Sequence, residues 1–472
     1  MTKNALSRRQ MLKVGIGTAA ASTLVSIPGA ALAHASTGNS VAASPSAASS
    51  SPLRASIANA YTFLNQMMDA YAQGATVRLC QSYSDQIAGG SFYSTAFVYD
   101  NALALLAYFS RGTADDMARA RVLGNALLYI QQNDASADGR FRQAYFAGVP
   151  DSNGVYATPG LSYFQGSAVG DVAWPGIALA QLYARTGVKA YLDGAVKAAT
   201  FIETTTRDNA NNPPGGYFFG NGQTNKSTEH NIDCYALFTM LARLTGNAAW
   251  LKSAAYAKAF VAAMFDAPSG HFWTGTSDPT NIFYNNSPED CQTWSYLAFQ
   301  DPAYAVSIDW VKTNLATTDT SFAFNNGWAN NTALKIRVNG MTFASLSKLG
   351  TVLGDQSVDA DAVWVEGTGH LIAALLQRHL PASSDLPGFH GDLQLASDLI
   401  DCMMLVQNTP NSFTGQTVHG IALVTGQGLP ASTSILNTGF GFNYFPFFHI
   451  GATAWYLMGV QGVNPLRRLS DR

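Results

Sequence analysis

Charge is scarce in this chain. Asp, Glu, Lys and Arg make up 12% of its 472 residues, about half the usual share of roughly 25%. Hydrophobic residues reach 47% and the mean hydropathy is +0.03, so a large core is expected and extensive disorder is excluded. Solubility must then rest on Ser, Thr, Asn, Gln and Gly. The formal net charge is -3. Past the N-terminal segment the only Lys/Arg doublet is Arg467-Arg468, which leaves no basic field for nucleic acid. Cysteine is scarce as well. Cys80, Cys234, Cys291 and Cys402 form neither a C-x-x-C pair nor a Cys/His zinc spacing. They are expected as buried free thiols, and no metal site is expected. Phosphate loops, dinucleotide fingerprints and haem-attachment motifs are absent, so no cofactor is expected. After the first 35 residues no apolar run is long enough to span a membrane.

The N-terminus is informative. Ser7-Arg8-Arg9-Gln10-Met11-Leu12-Lys13 precedes an apolar run from Val14 to Leu32 that ends in small residues, with cleavage expected after Ala33 or Ala35. The segment resembles a twin-arginine export signal; the blander alternative is an ordinary secretory signal with two arginines. The resemblance implies the export machinery as a partner and a periplasmic or secreted bacterial protein. The expected organisation is a signal over 1–35, a Ser/Ala/Pro-rich leader over 36–52 and a single domain over 53–472.

Six times a loop rich in Gly, Asn or Pro runs into a helix that starts with an acid or a histidine among aromatic residues. The six starts are Val98-Tyr99-Asp100-Asn101, Gly170-Asp171-Val172-Ala173-Trp174, Thr228-Glu229-His230-Asn231, Pro288-Glu289-Asp290, Trp364-Val365-Glu366-Gly367 and Phe447-Phe448-His449. Most are followed by a second helical segment, and their spacing of roughly 60 to 80 residues is that of a repeat whose units cannot bury their apolar faces alone. The first helix of each pair is apolar nearly all round, which predicts burial on both sides. The second is amphipathic. Glycines at Thr186-Gly187 and Thr245-Gly246-Asn247 are expected to end first helices. The last helix, from Ile450 to Gly459, is expected to pair with the first, from Arg54 to Ala72. Long loops such as those holding Gly215-Gly216-Tyr217-Phe218-Phe219 and Gly270-His271-Phe272-Trp273 have room for short strands.

Twelve helices in six inner/outer pairs, with acids and aromatics at the inner-helix starts, resemble the all-α (α/α)6 barrel, or toroid, of bacterial carbohydrate-active enzymes. The segments Ser227 to Asp233, Glu289 to Trp294 and Val363 to Gly369 carry that likeness. It implies a carbohydrate substrate and glycoside-hydrolase chemistry. Such chemistry needs two carboxyl groups across the bond, one giving a proton and one activating water or attacking. Asp100, Asp171, Glu229, Asp233, Glu289, Asp290 and Glu366 are the candidates. Glu366, near Trp364, is expected as the acid, because apolar surroundings raise a carboxyl pKa. Asp100 and Glu229 are expected as the base. Tyr99, Asp171, Trp174, His230, Asp290, Trp294, Trp364 and His449 are expected to bind substrate, the aromatic rings as platforms for sugar faces. Against this, acids favour the first turn of any helix because they cap N–H groups and oppose the dipole, and Asp290 after Pro288 looks most like such a cap.

Three alternatives stand beside hydrolysis. A toroid polysaccharide lyase needs a cation at the rim to neutralise a uronate. A small-molecule isomerase or dehydratase would use His, or the thiols of Cys234 and Cys291. A glycan-binding protein on the same fold would bind without turnover.

Overall fold

The computed structural model describes residues 51–87, 94–160, 164–210, 213–320, 323–324, 329–330, 337–350, 358–379, 391–408, 415–467 and 469. The segment expected as an export signal and nearly all of the expected leader lie outside the described residues. The end of the leader is helical instead: Ser51 accepts from the Arg54 N–H at 3.4 Å, and Pro52 opens the first helix, a position where its missing N–H costs nothing.

The helices are α1 (Pro52–Asp69), α2 (Val98–Arg111), α3 (Ala114–Gln132), α4 (Val169–Thr186), α5 (Lys189–Thr205), α6 (Thr228–Thr245), α7 (Ala249–Ala263), α8 (Glu289–Phe299), α9 (Val306–Asn314), α10 (Val365–His379), α11 (Asp392–Asn408) and α12 (Ile450–Val460). The even-numbered helices form the inner ring. Each packs on the next, from α2 through α4, α6, α8 and α10 to α12, and α12 returns to α2. Helices α3, α5, α7, α9 and α11 each cover the inner helix that precedes them, and α1 covers α12. The fold is an (α/α)6 barrel.

Burial follows the hydropathy pattern. All eleven residues of α8 are buried, as is α2 from Val98 to Phe109, whereas α3, α5 and α7 each leave one face exposed, polar in α5 and mostly alanine in α7. Gly187 and Gly246 end α4 and α6 with φ of 70° and 69°, a left-handed conformation that costs glycine little. Hydropathy alone reads a continuous helix from about Ala303 to Leu315, and this helix is broken. A short 3-10 turn at Pro302–Tyr304 precedes α9, and the carbonyls of Tyr304 and Ala305 accept from Ser307 Oγ and Arg378 Nη1. Short strands do form in the long loops. Phe265–Asp266 pairs with His271–Phe272, and Lys226–Ser227 with Gly275–Thr276.

One device ties loops to the ring at five of its helices. The fourth residue of α2, α6, α8, α10 and α12 is Asn101, Asn231, Gln292, Thr368 and Thr453. Its side-chain oxygen accepts the backbone N–H of Cys80, Tyr217, Phe272, Met341 and Leu429 respectively, at 2.7–3.1 Å. The three amides also donate back to the carbonyl of the same loop residue. A buried loop N–H left unpaired would cost about 1–3 kcal/mol, so these side chains set where each loop crosses the inner-helix ends.

Candidate functional site

Helical rotation decides what the ring presents. The second residue of the inner helices is Tyr99, Gly170, Glu229, Asp290, Glu366 and Gly451. The first five of these line one cavity of about 420 Å³, within the usual size range of ligand pockets. Five residues into the helix, one turn further from the mouth, stand Trp174, Trp294, His370 and Trp455. They pack ring against ring along the barrel axis. Centroids are 5.1 Å apart for Trp174–Trp294, 5.7 Å for Trp294–Trp455 and 4.3 Å for His370–Trp455. Trp174 and Trp294 of this cluster also line the cavity. A second aromatic cluster walls one side: Phe343 lies 4.6 Å from Trp364, and Trp364 stacks on Tyr444 at 5.8 Å.

Glu366 is firmly held in the cavity wall. It is 1% exposed. Tyr99 Oη donates to its Oε1 at 2.7 Å and itself accepts from Trp455 Nε1 at 3.0 Å. Tyr99 on α2 reaches Glu366 on α10 across the place of α12, where the residue at the same level is Gly451 and no side chain intervenes. A Cβ there would meet Asp100 Oδ1 and His449 Cε1 at 2.7 Å. Behind Glu366, His370 Nε2 stands 3.8 Å from its Oε1, and His370 Nδ1 lies 2.9 Å from Glu289 Oε2. Glu289 is fully buried. Burial pushes its carboxyl well above the usual 4.5; the Thr293 hydroxyl offsets part of this and the charge of Glu366 adds to it. Burial thus favours the protonated carboxyl, which donates to His370 Nδ1 when the ring proton sits on Nε2.

This predicts a pH effect on folding. The folded state holds a proton on Glu289 that the unfolded chain releases near pH 4.5. Stability from this group is complete below that value and is lost as pH rises through the folded value, by up to about 1.4 kcal/mol per pH unit. Glu289→Gln keeps an N–H donor for His370 and removes the ionisation. Thermal unfolding from about pH 5 to about pH 8 is expected to show a smaller loss of stability in the variant than in the wild type. Parallel pH profiles would contradict this.

The sequence-derived candidates divide. Glu366, Glu229, Asp171, Asp290, Tyr99, Trp174, His230, Trp294 and Trp364 all line the cavity. Asp100 and His449 do not. Asp100 is the third residue of α2, and the turn of about 100° from Tyr99 faces it to α12 rather than to the cavity. There it accepts from His449 Nε2 at 3.1 Å. His449 is the N-cap of α12: its Nδ1 accepts the Ala452 N–H at 3.2 Å, which fixes the ring proton on Nε2, and Tyr83 stacks on the ring at 4.1 Å. Asp290 in turn is no N-cap. Pro288 holds that place without a side-chain bond, and Asp290 is the second helical residue, turned to the cavity. Asp233 and Glu289 are fully buried and outside the lining. So are Cys234 and Cys291, and burial pushes the Cys234 thiol well up, which opposes thiol chemistry.

Two loops add lining residues that the helix starts did not indicate: Phe219 to Ser227 supplies Gln223, Asn225 and Lys226, and Thr274 to Phe283 supplies Thr276 and Ser277. Their Asn, Gln, Ser and Thr content was visible, but only the pairing of Lys226–Ser227 with Gly275–Thr276 brings both loops to one rim.

Solved structures of sugar-active enzymes share this fold. The chain is similar to a family 76 glycoside hydrolase from a bovine Bacteroides thetaiotaomicron strain, at 12% identity and a TM-score of 0.51, over 85% of this chain and 77% of that one. A sugar epimerase from a ruminal bacterium aligns at 11% identity and a TM-score of 0.55, over 88% and 99%. An inactive variant of the α-1,6-mannanase of Salegentibacter sp. HEL1_6, with two adjacent Asp→Asn changes and bound to α-1,6-mannotriose, aligns at 11% identity and a TM-score of 0.50, over 87% and 100%. At such identities the likeness shows the fold alone. No protein-family model matches the sequence, and no curated protein sequence does.

Proposed function

We propose that this protein is an exported glycoside hydrolase that cleaves an oligo- or polysaccharide in the barrel cavity. One observation carries the proposal: carboxyl side chains from four inner helices, Asp171, Glu229, Asp290 and Glu366, line a single aromatic-walled cavity. Glu366 acts as the proton donor, oriented by Tyr99. Glu229, two helices away round the ring, is the second carboxyl group, and the geometry removes Asp100 from that role. Asp171, on the helix opposite Glu366, and Asp290 hold sugar hydroxyls. Adjacent acids at an inner-helix start occur here as Glu289-Asp290, and only Asp290 lines the cavity. The catalytic pair is therefore drawn from different helices. The twin-arginine-like segment supports an exported location.

The lyase alternative is disfavoured by charge. Among the described lining residues Lys226 is the only Lys or Arg, and its Nζ is held by Asp208 Oδ2 at 2.6 Å and the Pro279 carbonyl at 2.7 Å. Epimerisation is the second reading, favoured by His230 on the cavity wall and by the epimerase among the solved structures that share the fold. Incubation with a panel of neutral, amino and uronate glycans tests both. New reducing ends are expected. An altered sugar at constant reducing-end count supports epimerisation instead, and an ultraviolet-absorbing unsaturated product supports the lyase.

A further inference from the structure

The charge of the cavity narrows the substrate class. Its described lining contains the carboxyl groups of Asp171, Glu229, Asp290 and Glu366. The single lysine, Lys226, has a side chain with no exposure and spends its charge on Asp208. Even a protonated His230 leaves the acids in excess. Hydrolysis uses two carboxyl groups, so the cavity holds two more than the reaction requires. An anionic sugar entering here would meet like charges in a site of low dielectric and would force one group to take up a proton.

A second feature is independent of the acids. Trp174, Trp294 and Trp364 line the cavity and are 1–2% exposed. Their indole N–H groups have no acceptor among the described residues. A buried donor of this kind is satisfied by a ligand lone pair, such as a sugar hydroxyl or ring oxygen. Carboxylates accept from N–H and O–H donors and attract a cation, and the aromatic faces attract a cation through their quadrupoles. A ligand that answers all three demands carries ring oxygens, an apolar face and an ammonium group.

We infer that the cavity is built for amino sugars, a glucosamine-type unit with a free ammonium, in preference to neutral sugars and against uronates. This rests on the proposal that the cavity is a glycan site. It can be tested without turnover. Tryptophan fluorescence would be titrated at neutral pH with D-glucosamine, D-glucose and D-glucuronate, and with the corresponding mannose series. The amino sugar is expected to bind at least about tenfold tighter than its neutral parent, and the uronate weakest. The preference is expected to shrink with added salt and in Asp171→Asn, whose fold is checked by circular dichroism. Equal affinity for amino and neutral sugars, a uronate that binds as well as its parent, or no binding by any of the six would overturn the inference. Reducing-end release, measured separately, keeps the two proposals apart. Hydrolysis without charge preference removes only the amino-sugar assignment, and charge preference without hydrolysis removes only the hydrolase.

Discussion

Glu366→Gln is expected to lower glycan hydrolysis by about 10²- to 10⁴-fold, the usual contribution of a positioned proton donor, and to leave the barrel folded. Gln has the same shape and keeps a carbonyl oxygen for the Tyr99 hydroxyl, which now donates to Oε1 at 2.7 Å. It cannot deliver a proton to a leaving oxygen. The site is 1% exposed, so replacing an ionisable group by an amide also removes a desolvation cost. Activity is expected to fall while thermal stability is held or raised. Tyr99→Phe serves as the graded control: it removes the hydroxyl that orients Glu366 and leaves the acid. Its loss is expected to be smaller and to fall mainly on kcat. Wild-type rates in Glu366→Gln, with hydrolysis demonstrated, would remove this residue from the mechanism.

Asp208→Ala is expected to cost about 3–5 kcal/mol of stability, the penalty for leaving one member of a buried ion pair behind. The side chains of Lys226 and Asp208 are 0% and 1% exposed, with 2.6 Å between Nζ and Oδ2. Asp208 also accepts the Ala210 N–H at 3.0 Å. Without the carboxylate, the ammonium keeps the Pro279 carbonyl but loses its counter-charge at a cavity wall. Denaturant unfolding measures the loss. The double variant Asp208→Leu, Lys226→Met has no stranded charge and is expected to recover most of it, because a well-packed apolar pair is often as stable as a buried ionic one. If the single and double variants were equally unstable, packing rather than charge would account for the cost.

The helices were legible in the sequence because their signals are local. The outer helix that hydropathy places from about Ala114 to Gln132 coincides with α3, whose start carries a capping box of Thr113 and Asp116. Hydropathy alone starts the second and third inner helices at about Val172 and Asn231, and α4 and α6 begin three residues earlier, at Val169 and Thr228. Helices α2, α4 and α8 have no side-chain cap, and their first turns are held by the ring and by loop contacts, whereas Ser227 and His449 cap α6 and α12. The break before α9 was not legible either, since it depends on Arg378 from a helix some 70 residues later.

The site was half legible. Acids at helix starts pointed to the end of the barrel that holds the cavity, but neighbouring residues have opposite fates. Tyr99 faces the cavity and Asp100 faces His449; Asp290 faces the cavity and Glu289 faces His370. One step along a helix is about 100° of rotation, and no residue type reveals its own azimuth.

From the chain alone came the repeat, the inner and outer members of each pair and the kind of side chain at the rim, because hydropathy period and helix-start composition are properties of adjacent residues. Only closure of the ring determined which carboxyl groups line one cavity, which histidine caps a helix, and that Lys226 is paired with Asp208. Those outcomes depend on how each helix is turned against its two neighbours, and that rotation is set by packing between segments far apart in sequence.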